Sequence, residues 1–173
     1  MVTIPSGRCR VAVVGQDPAG LSLARTAIIA GHTGMTFGIH ICRGNHKSMF
    51  YASGGYDRIA RQIFTRARFQ RFLLEYDDER SGTFEPLQHV PEDRMVVLGL
   101  VSSKHAALET QDEIEQRIRA ASKYVPLERL ALSPQCGFAS THEGNRLSED
   151  DQRRKLALVA ATARAVWHVP SLA

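Results

Sequence analysis

The chain has 173 residues, 43% hydrophobic and 23% charged, with 22 Lys and Arg against 18 Asp and Glu for a net charge of +4. That composition excludes a disordered or fibrous protein, and no run reaches the roughly 18 apolar residues of a membrane span. The positive charge is mild and its arginines are dispersed, whereas a nucleic-acid surface needs a dense basic patch interleaved with aromatics.

Along the chain, the apolar run Val11-Ala-Val-Val14 is cut short by Gly15-Gln-Asp17, too early for a secretion signal. Gly15-Gln-Asp17-Pro-Ala-Gly20 has the outline of a dinucleotide-binding turn. Asp17 stands where such a turn needs its second glycine, however, and its carboxylate would repel phosphate. Asp17 is better read as the cap of a helix with Pro18 in its first position, running to about residue 30. Residues 35–42 read as a strand, followed by a Gly-rich loop and a helix over about 56–68. Residues 69–76 form the next strand, and Met95-Val-Val-Leu-Gly-Leu-Val101 is a continuous apolar run, as expected of a parallel strand covered on both faces. Thr110 and Glu113 have capping-box spacing and open a helix to about residue 123. Residues 130–133 are a fourth strand, and Ser148 opens the last helix, with Leu156, Val159, Ala163 and Val166 three or four apart. The Arg58, Arg61, Arg66, Arg68 and Arg71 cluster reads as a solvated face.

Strands alternating with helices predict βαβ crossovers and a parallel sheet. Four such units make either half of an eight-unit barrel or one small doubly wound domain. Cys9, Cys42 and Cys136 are too few and odd in number for a disulfide framework, which points to a reducing cytoplasm.

Chemistry-bearing residues gather at strand C-termini. His40-x-Cys42 ends one strand, Glu75 ends the next, and Cys136 follows the fourth. In a barrel these ends converge on the face where active sites are built. His40 and Cys42, two apart in a strand, share a face. One imidazole, two thiolates and a carboxylate form a plausible zinc shell, with sulfur favouring zinc over magnesium or calcium. On spacing alone, buried or loop residues of no special function remain the alternative.

His40-Ile-Cys42-Arg-Gly-Asn45, Phe72-Leu-Leu-Glu75-Tyr-Asp77, Val97-Leu-Gly-Leu-Val-Ser-Ser-Lys104 and Leu132-Ser-Pro-Gln-Cys136-Gly-Phe-Ala-Ser140 resemble the cobalamin-independent methionine synthase superfamily, in particular its short single-barrel members. The resemblance implies an α/β fold: the C-terminal half, about four βα units, of a (β/α)8 TIM barrel over residues 15–173, with residues 1–14 unassigned. It implies Zn2+ held by His40, Cys42, Glu75 and Cys136. The implied reaction is methyl transfer from 5-methyltetrahydrofolate to homocysteine thiolate, in methionine biosynthesis. His105 then takes the place of an active-site histidine, and Arg43, Asp77 and Lys104 are candidates for holding substrate. His46 and His142 have no such support. A lone half-barrel leaves open strand edges, so impaired activity and a second half-barrel, by self-association or as a separate chain, are expected. Other expectations from the same sequence are an inactive fragment, a zinc-thiolate transferase with a different thiol or electrophile, or a nucleotide-binding module.

Overall fold

A computed structural model describes residues 10–14, 35–139 and 142–168. Cys9, Asp17 and the helix expected over 18–30 lie outside the described residues. The elements are β1 (Arg10–Val14), β2 (Met35–Ile41), α1 (Ala60–Arg66), β3 (Arg71–Glu75), β4 (Met95–Val101), α2 (Gln111–Ala121), β5 (Leu130–Pro134) and α3 (Glu149–Trp167). The loop between β3 and β4 contains two short 3-10 turns, Glu79–Ser81 and Glu85–His89.

The five strands form one sheet in the order β1-β2-β3-β4-β5, every pair parallel. Neighbours in sequence are neighbours in space. Among the described residues, no strand reverses the direction of progress across the sheet, as a doubly wound domain requires at its switch point. This is the order of a barrel wall. The first strand, Arg10–Val14, pairs residue for residue with Met35–Ile39 and adds a fifth stave to the four read from the sequence.

The two faces of the sheet differ sharply. The register aligns Ile39, Phe72, Val96 and Leu130 in one row, in which Phe72 and Val96 are wholly buried. That row meets the helices: Phe64 of α1 contacts Phe72 edge-on at 5.0 Å, and Ile114 and Ile118 of α2 join the same core. The next row, His40, Leu73, Val97 and Ala131, points to the opposite face and is only half-buried.

Local signals in the sequence set the helix starts. At Thr110 and at Ser148 both halves of the capping box are made, the hydroxyl accepting from the third-residue N–H while that residue's carboxylate accepts from the cap N–H. Trp167, at the end of α3, donates from Nε1 to the Leu127 carbonyl at 2.9 Å and fastens the helix beside β5. Among the described residues, no helix is long and apolar enough to cross a membrane.

Candidate metal centre

Because all strands run parallel, their C-termini lie at one end of the sheet, and the loops leaving them share that rim. His40 lies in β2, on the half-buried row. Cys42 follows the end of β2 by one residue, and Cys136 follows the end of β5 by two. One donor atom from each of His40, Cys42 and Cys136 lies within 4.8 Å of the other two. His40 Nε2 stands 3.4 Å from Cys136 Sγ across 96 residues of chain. A tetrahedral zinc with ordinary Zn–N and Zn–S lengths separates two such donors by roughly 3.5 Å.

The sulfurs are electronically unequal. The hydrogen bond from Cys136 brings the Cys42 thiol down to about 4, against the opposing cost of burial, with His40 and the Gly44 N–H adding to the pull. Cys136, the donor of that bond, is pushed up by it, by burial and by the charge on Cys42, while Lys104 opposes the rise. That hydrogen bond makes Cys42 the more acidic sulfur and Cys136 the less acidic one. A divalent cation satisfies both sulfurs as thiolates in place of that bond. The donor set and its spacing fit zinc.

Glu75 stands beside this trio and outside it. Its side chain is fully buried. Oε2 accepts the Arg43 backbone N–H, and Oε1 accepts from Lys104 Nζ at 3.2 Å and from Arg80 Nη2 at 3.3 Å. Its charge nonetheless reaches Cys136 and adds to that thiol's upward shift. The side chain of Asp77 is also fully buried, with Oδ2 3.3 Å from Lys104 Nζ and Oδ1 3.7 Å from Arg80 Nη2. Asp77 Oδ1 receives no hydrogen bond among the described residues.

The remaining sequence candidates are placed differently from one another. Lys104 points into the centre, bonded to Glu75, Asp77 and Gln135. His105, the next residue, is exposed on the loop. The guanidinium of Arg43 is buried and turned into the protein: it donates to the Gly54 carbonyl, to Tyr56 Oη and to the Glu75 carbonyl, and lies 4.2 Å over the Tyr56 ring. Those bonds occupy the charge that the sequence reading reserved for a substrate carboxylate. His142 is exposed beside Glu143, and His46 pairs with Met49 at a tight turn. Arg80 and Gln135 belong to the site and carried no signal in the sequence. Arg80 lies in a charged loop that reads as solvated, and Gln135 is an uncharged neighbour of a cysteine.

A cavity of about 260 Å³ opens against His40 and Cys136, floored by Leu73, Leu74, Ser133 and Pro134. It lies on the half-buried side of the sheet, next to the donor trio.

Residues 64–157 match the family described as cobalamin-independent synthase, catalytic domain. The chain is 52% identical over 134 residues to the uncharacterized protein YxjG of Bacillus subtilis (strain 168), covering 77% of this chain and 35% of that protein. It is 45% identical over 167 residues to the uncharacterized protein YxjH of the same organism, covering 93% and 44%. The chain thus spans less than half the length of both curated relatives. Among solved structures, a Listeria monocytogenes protein provisionally named a vitamin-B12-independent methionine synthase superposes with a TM-score of 0.59 at 30% identity, over 87% of this chain and 41% of that one. A B12-independent methionine synthase from Shewanella sp. W3-18-1, in complex with selenomethionine, superposes with a TM-score of 0.66 at 19% identity, over 90% and 48%. That second likeness concerns the fold alone.

Proposed function

The chain belongs to the cobalamin-independent synthase catalytic-domain family, as half of its α/β barrel, and from that premise we propose that it carries the zinc-thiolate half of a methyl-transfer site. In this reading the transfer runs from a methyl-folate to homocysteine thiolate, forming methionine. The observation that carries the proposal is the meeting of His40, Cys42 and Cys136 donor atoms within 4.8 Å.

His40, Cys42 and Cys136 would hold the ion; Glu75, which the family resemblance assigns as the fourth donor, would join them by giving up a bond to Arg43, Lys104 or Arg80. Zinc bound there lowers the pKa of an incoming thiol, so that the sulfur is presented as a nucleophilic thiolate at neutral pH. The chain's own groups do the rest. Lys104, 7% exposed and already paired with Glu75 and Asp77, would meet a substrate carboxylate by exchanging one of those bonds. Asp77 offers a buried oxygen, free of hydrogen bonds among the described residues, for a substrate ammonium. The cavity against His40 and Cys136 gives an incoming sulfur room beside the donor trio. Arg43 shapes the loop after β2, and an active-site role for His105, exposed beside Lys104, is proposed from the family resemblance alone.

A second half-barrel is proposed to complete the site. Support comes from the half-buried row of His40, Leu73, Val97 and Ala131, whose counterpart row on the other face is covered. Free thiols at Cys42 and Cys136 suit a reducing compartment, and the cytoplasm is proposed.

Metal analysis of the purified chain tests the reading. About one zinc per chain is expected, lost in Cys136→Ser and weakened in Glu75→Gln. A chain that binds no zinc overturns the proposal, and a Glu75→Gln variant with full metal retention removes Glu75 from the shell.

A further inference from the structure

The chain makes an unusual turn on its way to Cys136. Between β4 and β5 the register slips, so that Gly99 faces Ser133 while Val101 faces Pro134, and Leu100 is skipped. The ladder then continues one residue past β5, with the Gln135 N–H donating to the Val101 carbonyl at 2.8 Å. An irregularity of this kind re-aims the side chains that follow it. The close passage is possible because Gly99 has no Cβ: one built there would stand 2.9 Å from Gln135 Cα. The result is a glutamine side chain that is 2% exposed and aimed into a cluster of charges.

Each end of that amide has a partner. Oε1 accepts from Lys104 Nζ at 2.5 Å and from Ser103 Oγ at 3.3 Å. Nε2 donates to Cys136 Sγ. An ammonium can only donate, so the oxygen of the amide must face Lys104, and the NH2 group is left facing the sulfur. The orientation of the glutamine is set by chemistry rather than by shape.

We infer that Gln135 is a positioning residue that couples the Lys104 cation to the Cys136 sulfur and tunes how strongly that sulfur donates electrons to a bound metal. The inference rests on the reading of Cys136 as a metal donor. A hydrogen bond to a thiolate stabilises its lone pair, and the bond is strengthened when the amide carbonyl is polarised by a cation on its far side. Groups one step removed from a metal usually act in this way, and their loss costs about 10- to 100-fold in metal affinity. Less donation from Cys136 leaves the metal more electrophilic, and so better able to hold an incoming thiol as thiolate.

Cobalt(II) substituted into the full chain reports on this directly, since its sulfur-to-cobalt charge-transfer band follows the energy of the thiolate lone pair. Gln135→Met removes the amide at nearly constant volume. Gln135→Glu keeps an oxygen for Lys104 and Ser103, and replaces the N–H toward sulfur with a charged oxygen that repels the thiolate lone pair. Both are expected to move the band to longer wavelength, and Gln135→Met is expected to lower zinc affinity by about 10-fold in chelator competition. Should Gln135→Met fail to fold, Gln135→Glu carries the same spectroscopic comparison. A wild-type band that reappears at unchanged wavelength in a folded variant overturns the inference and leaves the metal reading intact, even if affinity falls. Absence of any sulfur-to-cobalt band in the wild-type chain overturns both.

Discussion

Asn45 Nδ2 donates to Ser103 Oγ across 3.1 Å and so joins the loop leaving β2 to the loop leaving β4. The same amide reaches the Gly137 carbonyl at 3.3 Å, next to Cys136, which brings in the loop leaving β5. Cys42, Lys104 and Cys136 thus stand on three loops fastened by one buried side chain.

Asn45→Ala removes both bonds and leaves the buried Ser103 hydroxyl without its amide donor. A stability loss of about 1–3 kcal/mol is expected from urea unfolding. Chelator competition should show zinc held about 10-fold less tightly, because the two sulfurs lose their common anchor. Equal zinc retention in the variant and the wild type would reduce Asn45 to a packing role.

Gly99→Ala tests the close approach of β4 and β5. The added Cβ would meet Gln135 Cα and the Leu74 carbonyl oxygen, each at 2.9 Å, and neither atom is the end of a flexible side chain. A cost of about 1–3 kcal/mol in unfolding free energy is expected, with zinc affinity falling as Gln135 is displaced. Gly137→Ala is the control: its Cβ would meet nothing closer than 4.0 Å, so a change within about 0.5 kcal/mol is expected. Equal costs at the two positions would contradict the role given to close packing at Gly99.

Much of this architecture could be read from local signals, and the exceptions share a cause. The runs of β2 and β4, and the caps at Thr110 and Ser148, depend on neighbours within a few residues, and they appear where periodicity and capping chemistry place them. His40, Cys42 and Cys136 were marked by residue type and by their place at strand ends, and the structure brings their donor atoms together. What could not be read is the direction of side chains on irregular loops. Lys104 and His105 are adjacent in sequence, yet only Lys104 faces the centre. Arg43 looks available beside Cys42 until Tyr56 and the Gly54 carbonyl, further along the same loop, are seen to take its guanidinium. Gln135 has no charge or motif to mark it, and its role follows from a register slip on the strand next to it.

Acid sensitivity should appear at the start of α3. The Asp151 carboxylate accepts from the Ser148 hydroxyl and from the Ser148 backbone N–H, with Arg154 nearby, and these bonds hold its carboxyl down at about 2, below the usual 3.8. A carboxyl lowered on folding contributes stability that is complete above its unfolded value and is lost as pH falls toward its folded one. The window is therefore roughly pH 4 down to 2. Thermal melts of wild type and Asp151→Asn should differ by a constant amount above about pH 5 and converge toward about pH 2. A difference that persists unchanged to the acid limit would show that the carboxylate charge is not what stabilises the cap.

Further support for the site comes from α3. Lys155 is fully buried, and its Nζ donates to the Ala107 carbonyl at 2.6 Å and to Glu109 Oε2 at 2.9 Å. Glu109 in turn accepts the Ser102 N–H at 2.8 Å through Oε1. A helix that begins thirteen residues after Cys136 thereby holds the loop that carries Ser103 and Lys104. Lys155→Met keeps the stem's apolar volume but strips the ammonium, leaving the Glu109 carboxylate with one backbone donor. Removing one partner of a buried pair in this way costs about 3 kcal/mol, most of it the penalty on the charge left behind. Glu109→Gln removes that charge, so the double variant Lys155→Met with Glu109→Gln should recover part of the loss, and the two single effects should not add. Urea midpoints of the four proteins give the coupling directly. Strict additivity would mean that Lys155 and Glu109 act independently, and that α3 braces the Lys104 loop by packing alone.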